Sequence, residues 1–228
     1  MTKLELKKIW RGKLPIYLFL GFVLLLFINH SAHSWSAYLV GKLGWITLIM
    51  GMMGFGVLNS WVFGREYQDE TFKDLLALPI SRNQIVGAKL IALISAEVAL
   101  TLACAGWTVL MGKTLLQFGD LPKSGLASLF GHFALAMLVD MALACLYPLL
   151  ASLSRGLLTP ICAAFAVLLI GRLMAGTPSG HYFPWAVPLL AMGQFNSLNV
   201  VSWLLVLMVG VVSVLGTMYW WTYQDHTD

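Results

Sequence analysis

The chain has 228 residues, 59% hydrophobic and only 11% charged, with a mean hydropathy of +0.82 and a formal net charge of +4. A soluble globular domain carries about 25% charged residues, so this chain cannot cover a water-facing surface and takes the bilayer as its solvent. The small net charge and scattered basic residues exclude a nucleic-acid partner and read as topology signals.

Residues 1–14 open the chain with an expected interfacial helix. Leu6, Ile9, Trp10 and Leu14 share a face, while Lys3, Lys7, Lys8 and Arg11 supply cations for lipid headgroups. A plain basic flank that sets topology is the alternative. A spanning helix needs about 20 mostly apolar residues. Six candidates follow: Leu14 to Asn29, Leu43 to Phe63, Ile85 to Met111, Leu126 to Leu153, Leu157 to Ala175 and Asn199 to Trp221. The first is the shortest. Its basic leader resembles a signal peptide, but it is long, carries Glu5, and has no small-residue cleavage site after Ile28, so it reads as retained.

Six spans put both termini on one side. With the N-terminus inside, the inner segments hold Lys3, Lys7, Lys8, Arg11, Lys13, Arg65, Lys73, Arg82, Lys89 and Arg155. The outer half holds only Lys42, Lys113, Lys123 and Arg172. This positive-inside bias makes both termini and segment 64–84 cytoplasmic. Segment 177–198 falls outside. Its Pro178, Gly180, Pro184, Pro188 and Gly193 break it too often for a span. Its Tyr182, Phe183, Trp185 and Phe195 make it too apolar for an exposed loop. It reads as a re-entrant pair of short helices, since irregular backbone at membrane depth survives only where protein or water satisfies it.

Segment 64–84 carries the densest charge in the chain. From Glu66 to Leu78 there is no Gly or Pro, and Glu66, Asp69 and Glu70 suit the positive end of a helix dipole. Phe72, Leu75, Leu76 and Pro79 form an apolar edge. Pro79 ends the element, and Ser81 with Gln84 is a capping-box signature for the next span. The expected outcome is a short helix across the cytoplasmic mouth, suited to docking a partner. A solvated turn is the bland alternative.

The string G-R-E-Y-x-x-x-T-x-K-x-L-L-A-L-P-I-S-R, from Gly64 to Arg82, with Ile85, Val86, Lys89 and Leu90, resembles the permeases of ATP-binding-cassette (ABC) type 2 exporters. It is most similar to the small six-span subunits of bacitracin-resistance and lantibiotic-immunity transporters. Span count, basic N-terminus and broken outer segment extend the likeness over the whole chain. The resemblance implies a coupling helix that inserts into an ATPase subunit, with Arg65, Glu66, Tyr67, Glu70, Thr71, Phe72, Leu75, Pro79 and Arg82 as contacts. It implies two permeases with two ATPase subunits, the second permease being the same chain or a sister chain. It places the dimer contact on the first and fifth spans, and in the fifth Ala163, Ala164 and Gly171 are small enough for close approach.

Gly112-Lys113-Thr114 invites a phosphate-loop reading. That pattern needs a Gly five positions before Gly112, where Trp107 stands. No other nucleotide fingerprint occurs, so this chain is expected to bind no cofactor, with ATP and Mg held by the partner ATPase. The three cysteines, Cys104, Cys145 and Cys162, lie in apolar runs and read as packing residues. His30 and His33 lack the further ligands that a metal site needs.

Glu97, Asp140 and Arg172 lie inside spans, where each charge costs about 2.5–3.5 kcal/mol and requires a partner or a wet cavity. Glu97 is about 12 residues into the third span and Arg172 about 15 into the fifth, which at about 1.5 Å per residue gives similar depth and suggests a pair. Asp140 lies nearer the inner side and reads as a structural hydrogen bond, or else as part of a substrate path or proton relay.

The expected fold is therefore an all-α membrane protein of six spans, a single permease domain. The expected function is the transmembrane subunit of an ATP-driven exporter in a bacterial cytoplasmic membrane. An amphipathic peptide or lipid-linked antibiotic is the cargo that the resemblance suggests. A stand-alone channel or secondary transporter would predict inverted repeats, and none is evident. An intramembrane enzyme would need a nucleophile or metal motif, such as H-E-x-x-H, and none occurs.

Overall fold

The computed structural model describes residues 1–28, 34–69, 71, 79–114, 116, 125–193 and 198–223, and every element among them is helical. Helices α1 (Thr2–Arg11) and α2 (Leu14–Ile28) meet at a 51° bend. The turn is built at Gly12 and Lys13. A Cβ on Gly12 would enter the Trp61 ring, and Lys13 adopts a left-handed φ of 58°, which costs an L-residue about 1–2 kcal/mol. In α1 the buried residues are Glu5 and Ile9, while Leu4 and Trp10 face outward.

A 34-residue helix, Trp35–Gln68, runs through the centre. It comprises α3 (Trp35–Trp45), a π-helical stretch (Ile46–Gly54) and α4 (Phe55–Gln68). It starts eight residues before the expected second span, because Trp35, Tyr38 and Leu39 form their own buried cluster. Helix α5 (Arg82–Thr114) is 33 residues long. Helices α6 (Leu126–Ala144) and α7 (Leu146–Ser154) continue one another from Leu126 to Ser154. Arg155, at a left-handed φ of 50°, ends α7. Helix α8 (Leu158–Met174) has 17 residues. Two 3-10 turns (Pro178–Tyr182, Pro184–Ala186) and the short α9 (Val187–Gly193) follow. Each turn begins on a proline, whose fixed φ suits the first helical position. This matches the broken segment expected there. Helix α10 (Val200–Tyr223) closes the described fold.

Four of these helices are long and apolar enough to cross a membrane, or five if the bent α1–α2 pair counts as one span. The 17 residues of α8 reach about 25 Å at 1.5 Å per residue, short of the hydrocarbon core.

The central helix packs against α5, α6, α7 and α8. It is 72% buried over its apolar window, against 22% for α10. Helix α10 instead turns Leu204, Leu207, Val212 and Leu215 outward, as α8 does Leu158, Leu169 and Leu173. Such faces have no place in water. Close contacts rest on small residues. A Cβ on Gly56 would meet Ala164 and the Tyr147 ring, and one on Gly64 would meet Gly156 and Leu157. Buried hydroxyls turn back on their own helices: Thr47 donates to the Leu43 carbonyl, Thr108 to Cys104 and Thr217 to Ser213. Each polar group is thereby satisfied where no water can serve.

Candidate functional site

The end of the bundle where α4 stops and α5 begins, here the loop end, gathers the charged residues. Helix α4 continues past the expected span end at Phe63, so Arg65, Glu66 and Tyr67 occupy its last turns and are not part of a separate loop helix. The rest of the expected coupling helix, with Glu70, Phe72 and Leu75, lies outside the described residues.

Glu66 is almost fully buried. Its carboxylate accepts from Lys89 Nζ at 2.6 Å and from Thr71 Oγ1 at 2.7 Å. Lys89 has no exposed surface. It also reaches Glu5 at 3.3 Å and the Val62 carbonyl at 3.5 Å, and lies 5.7 Å from the Phe63 ring centre. Half-exposed Lys8 completes the group, 3.2 Å from Glu5 and 3.7 Å from Glu66. Two acids and two lysines thus join α1, α4 and α5. Buried pairs of this kind return little net stability, yet losing one partner costs about 3–5 kcal/mol because the other charge is stranded.

A second brace lies beside it. Arg82, the first residue of α5, donates to the carbonyls of Trp221 and Thr222 at 3.2 and 3.1 Å. Those are among the orphan carbonyls of α10, and a cation there satisfies both the bonds and the helix dipole. Thr222 donates to Asn83, and Trp221 Nε1 donates to Ser152 Oγ at 3.0 Å. The Trp221 ring meets Phe63 edge-on at 5.7 Å.

These bonds place the residues expected to contact the partner within the chain's own packing. Glu66 and Arg82 are engaged inside the chain. Tyr67 is half-buried against the core. Thr71 is exposed, though its hydroxyl is bound to Glu66. Arg65, Asp69, Pro79 and Ile80 face outward. Arg65 pairs with Asp69 at 2.6 Å and stacks 5.1 Å from the Trp61 ring centre. A cavity of about 560 Å³ opens between α1 and α4, bordered by Lys8, Arg11, Trp61, Arg65 and Asp69.

Deeper, Glu97 and Arg172 do not pair. The Glu97 carboxylate accepts a short hydrogen bond from Asn59 Nδ2. Arg172 faces outward, into a groove of about 520 Å³ beside Trp45, Leu48 and Leu189. Similar depth along two helices says nothing about which way each side chain points. Asp140 is buried, and neither of its oxygens has a hydrogen-bond partner among the described residues, so the structural bond expected for it is not formed there. Gly112 packs on the Trp35 ring and Thr114 bonds back to Leu110, in the last turn of α5. The small residues read as a dimer contact lie inward. Ala164 has no exposed surface and abuts Gly56, and Gly171 lies under the Trp185 carbonyl and Met52. Ala163, half-buried, lines the same core. Within this chain they let α8 lie close to the central helix.

Nothing in the sequence brings Glu5, Lys8 and Lys89 together: Glu5 speaks against a signal peptide, Lys8 is a headgroup cation, and Lys89 is an inner charge within the family string. A signal existed for Lys89, since it falls five residues inside the third apolar run, where an unpaired lysine is costly.

Residues 1–171, which include α1, the ion-pair network and the start of α5, match the family model described as ABC-2 family transporter protein. The chain belongs to this ABC-2 family. Bacitracin transport permease protein BCRB of Bacillus licheniformis is 30% identical to it over 152 residues, covering 66% of this chain and 73% of that protein. No solved structure gives a significant match. The ABC-2 protein is thus a multi-pass membrane protein and an ABC transporter permease subunit, and membership of the family implies an ABC ATPase partner.

Proposed function

We propose that this ABC-2 permease drives export by passing movement of a bound ATPase from its loop end into the membrane helices. The observation that carries the reading is the Glu5–Lys89–Glu66 network. It ties three helices together at the point where the chain leaves α4 for the partner-facing segment, so a push on that segment moves α1, α4 and α5 as one. In this reading there are six spans, with α2 and α8 completing the set, and both termini and segment 64–84 face the cytoplasm. Two ATPase subunits, holding ATP and Mg, serve two permeases. Nothing about this chain's own residues calls for a nucleotide. The resemblance to BCRB supports an amphipathic peptide or lipid-linked antibiotic as cargo.

The test is co-purification with the ATPase encoded in the adjacent reading frame. Glu70, Phe72 and Leu75 are changed together to Ala, leaving the buried Glu66 intact. The native chain should retain the ATPase and the variant should lose it. Equal retention by both would refute docking through this segment.

A further inference from the structure

The membrane interior holds a polar cluster that the loop-end reading does not use. Asp140 on α6 is 2% exposed, and both of its carboxyl oxygens are sealed without a hydrogen-bond donor. Tyr147 on α7 is 1% exposed, and its hydroxyl is likewise buried and unpartnered. Thr101, one turn beyond Glu97 on α5, donates to the sulfur of Met137, three residues before Asp140 on α6, at 3.7 Å, which brings the two acids to one level of the bundle, and the Tyr147 ring packs on Gly56 of the central helix. Asn59 on α4 donates to Glu97 and to the Phe55 carbonyl, which fixes the Glu97 carboxyl in place. None of the ion pairs among the described residues involves either acid. Cys145, at the junction of α6 and α7, turns its thiol back to the Met141 carbonyl at 3.5 Å.

Burying a carboxyl with nothing to bond it is among the costliest arrangements a protein can hold. Bilayer depth adds to the cost and makes a functional role the default expectation. The backbone around it is also unusual. Asp140 faces the nine-residue π-helical stretch Ile46–Gly54, a rare geometry that is frequent at functional sites. Within that stretch, Gly51 lies so close that a Cβ would collide with the Asp140 carboxyl. The carboxyl therefore lies against the Gly51 backbone, which closes that side of it. The donors are oxygens, which favour hard cations. Among the described residues no cluster of three or more His, Cys, Asp or Glu exists, so the set lacks the ligand charge of a divalent site.

We propose that Asp140, with Glu97, Asn59 and Tyr147, forms an intramembrane site for one small monovalent cation. A proton and a sodium ion share this chemistry. Either would offset one negative charge of the pair. The site goes beyond the export reading and does not depend on it. Its two principal helices are nevertheless those joined at the loop end: Glu97 is about 12 Å along α5 from Lys89, and Asn59 about 10 Å along α4 from Glu66, at 1.5 Å per residue.

The experiment uses the full-length permease in nanodiscs. Thermal unfolding is followed against sodium chloride, with choline chloride holding ionic strength constant, for the native chain, Asp140→Asn and Glu97→Gln. In parallel, difference infrared spectra record the carbonyl stretch of protonated carboxyl groups. If sodium is the occupant, the native midpoint climbs by about 3–6 °C per tenfold rise in sodium above its Kd, and Asp140→Asn does not respond. If the proton is the occupant, sodium has no effect, and a protonated-carboxyl band is lost in Asp140→Asn and altered in Glu97→Gln. A native chain with neither sodium response nor protonated band overturns the proposal. Those two readings need no variant, so they stand even where a substitution prevents folding.

Discussion

Replacing Lys89 with Met removes the one fully buried cation at the loop end while keeping most of its volume. Glu5 and Glu66 then remain buried beside one another, with only Lys8 left between them. The Lys8 side chain is half-exposed, at 52%, and an exposed pair contributes about 0.2–1 kcal/mol. That cannot replace Lys89, so the loss should approach the 3–5 kcal/mol typical of breaking a buried pair. For a chain of this size about 3–5 kcal/mol lowers the unfolding midpoint by roughly 6–20 °C. Tryptophan fluorescence of the nanodisc-embedded protein can follow the transition, since the chain carries nine Trp. The triple variant Glu5→Gln, Glu66→Gln, Lys89→Met strands no charge and should recover most of the loss. A Lys89→Met midpoint within about 2 °C of native, under 1 kcal/mol, would refute the reasoning, as would a triple variant no better than the single one.

Gly51→Ala should cost about 1–3 kcal/mol through overpacking against Asp140, and adding Asp140→Ala should restore part of it. The check is the same unfolding midpoint. Arg82→Ala leaves two carbonyls of α10 unpaired and should cost about 1–3 kcal/mol, with earlier proteolysis at the C-terminal end as a second readout. Exchanging the charges of Glu97 and Arg172 should give no rescue over the single changes, because the two side chains face different neighbours. Recovery in that swap would contradict the Asn59–Glu97 contact. Ala164→Leu should lower the midpoint at every protein concentration, since Ala164 packs on Gly56 within the chain. A loss seen only in the dimer would place Ala164 at a subunit contact instead.

The apolar runs reveal the helices well, because a bilayer imposes length and composition on each. The bent α1–α2 entry, the proline-broken turns at 178–186 and the helix start after Ser81 follow from local chemistry that is visible in the residues. What the runs conceal is direction around the helix axis. Glu97 and Arg172 share a depth and still face apart, and nothing in ITLIMGMMG marks a π-helix. Asn59 and Tyr147 read as ordinary span residues because their significance lies in neighbours far away in sequence. Glu66 was legible as important but not as buried. A charge at the edge of a span looks the same whether it awaits a partner or already holds Lys89.

The Arg82 brace has a consequence for how the chain is made. Synthesis runs from the N-terminus, and α5 is in place long before α10 exists. Until Trp221 and Thr222 emerge, Arg82 lacks its two carbonyls, Ser152 lacks the indole donor, and Phe63 lacks the ring against it. The final turn of α10 therefore locks elements formed much earlier. A chain cut a few residues short of Tyr223 would insert its earlier helices and still leave the loop end unlatched, so the order in which these helices pack is set by when α10 arrives.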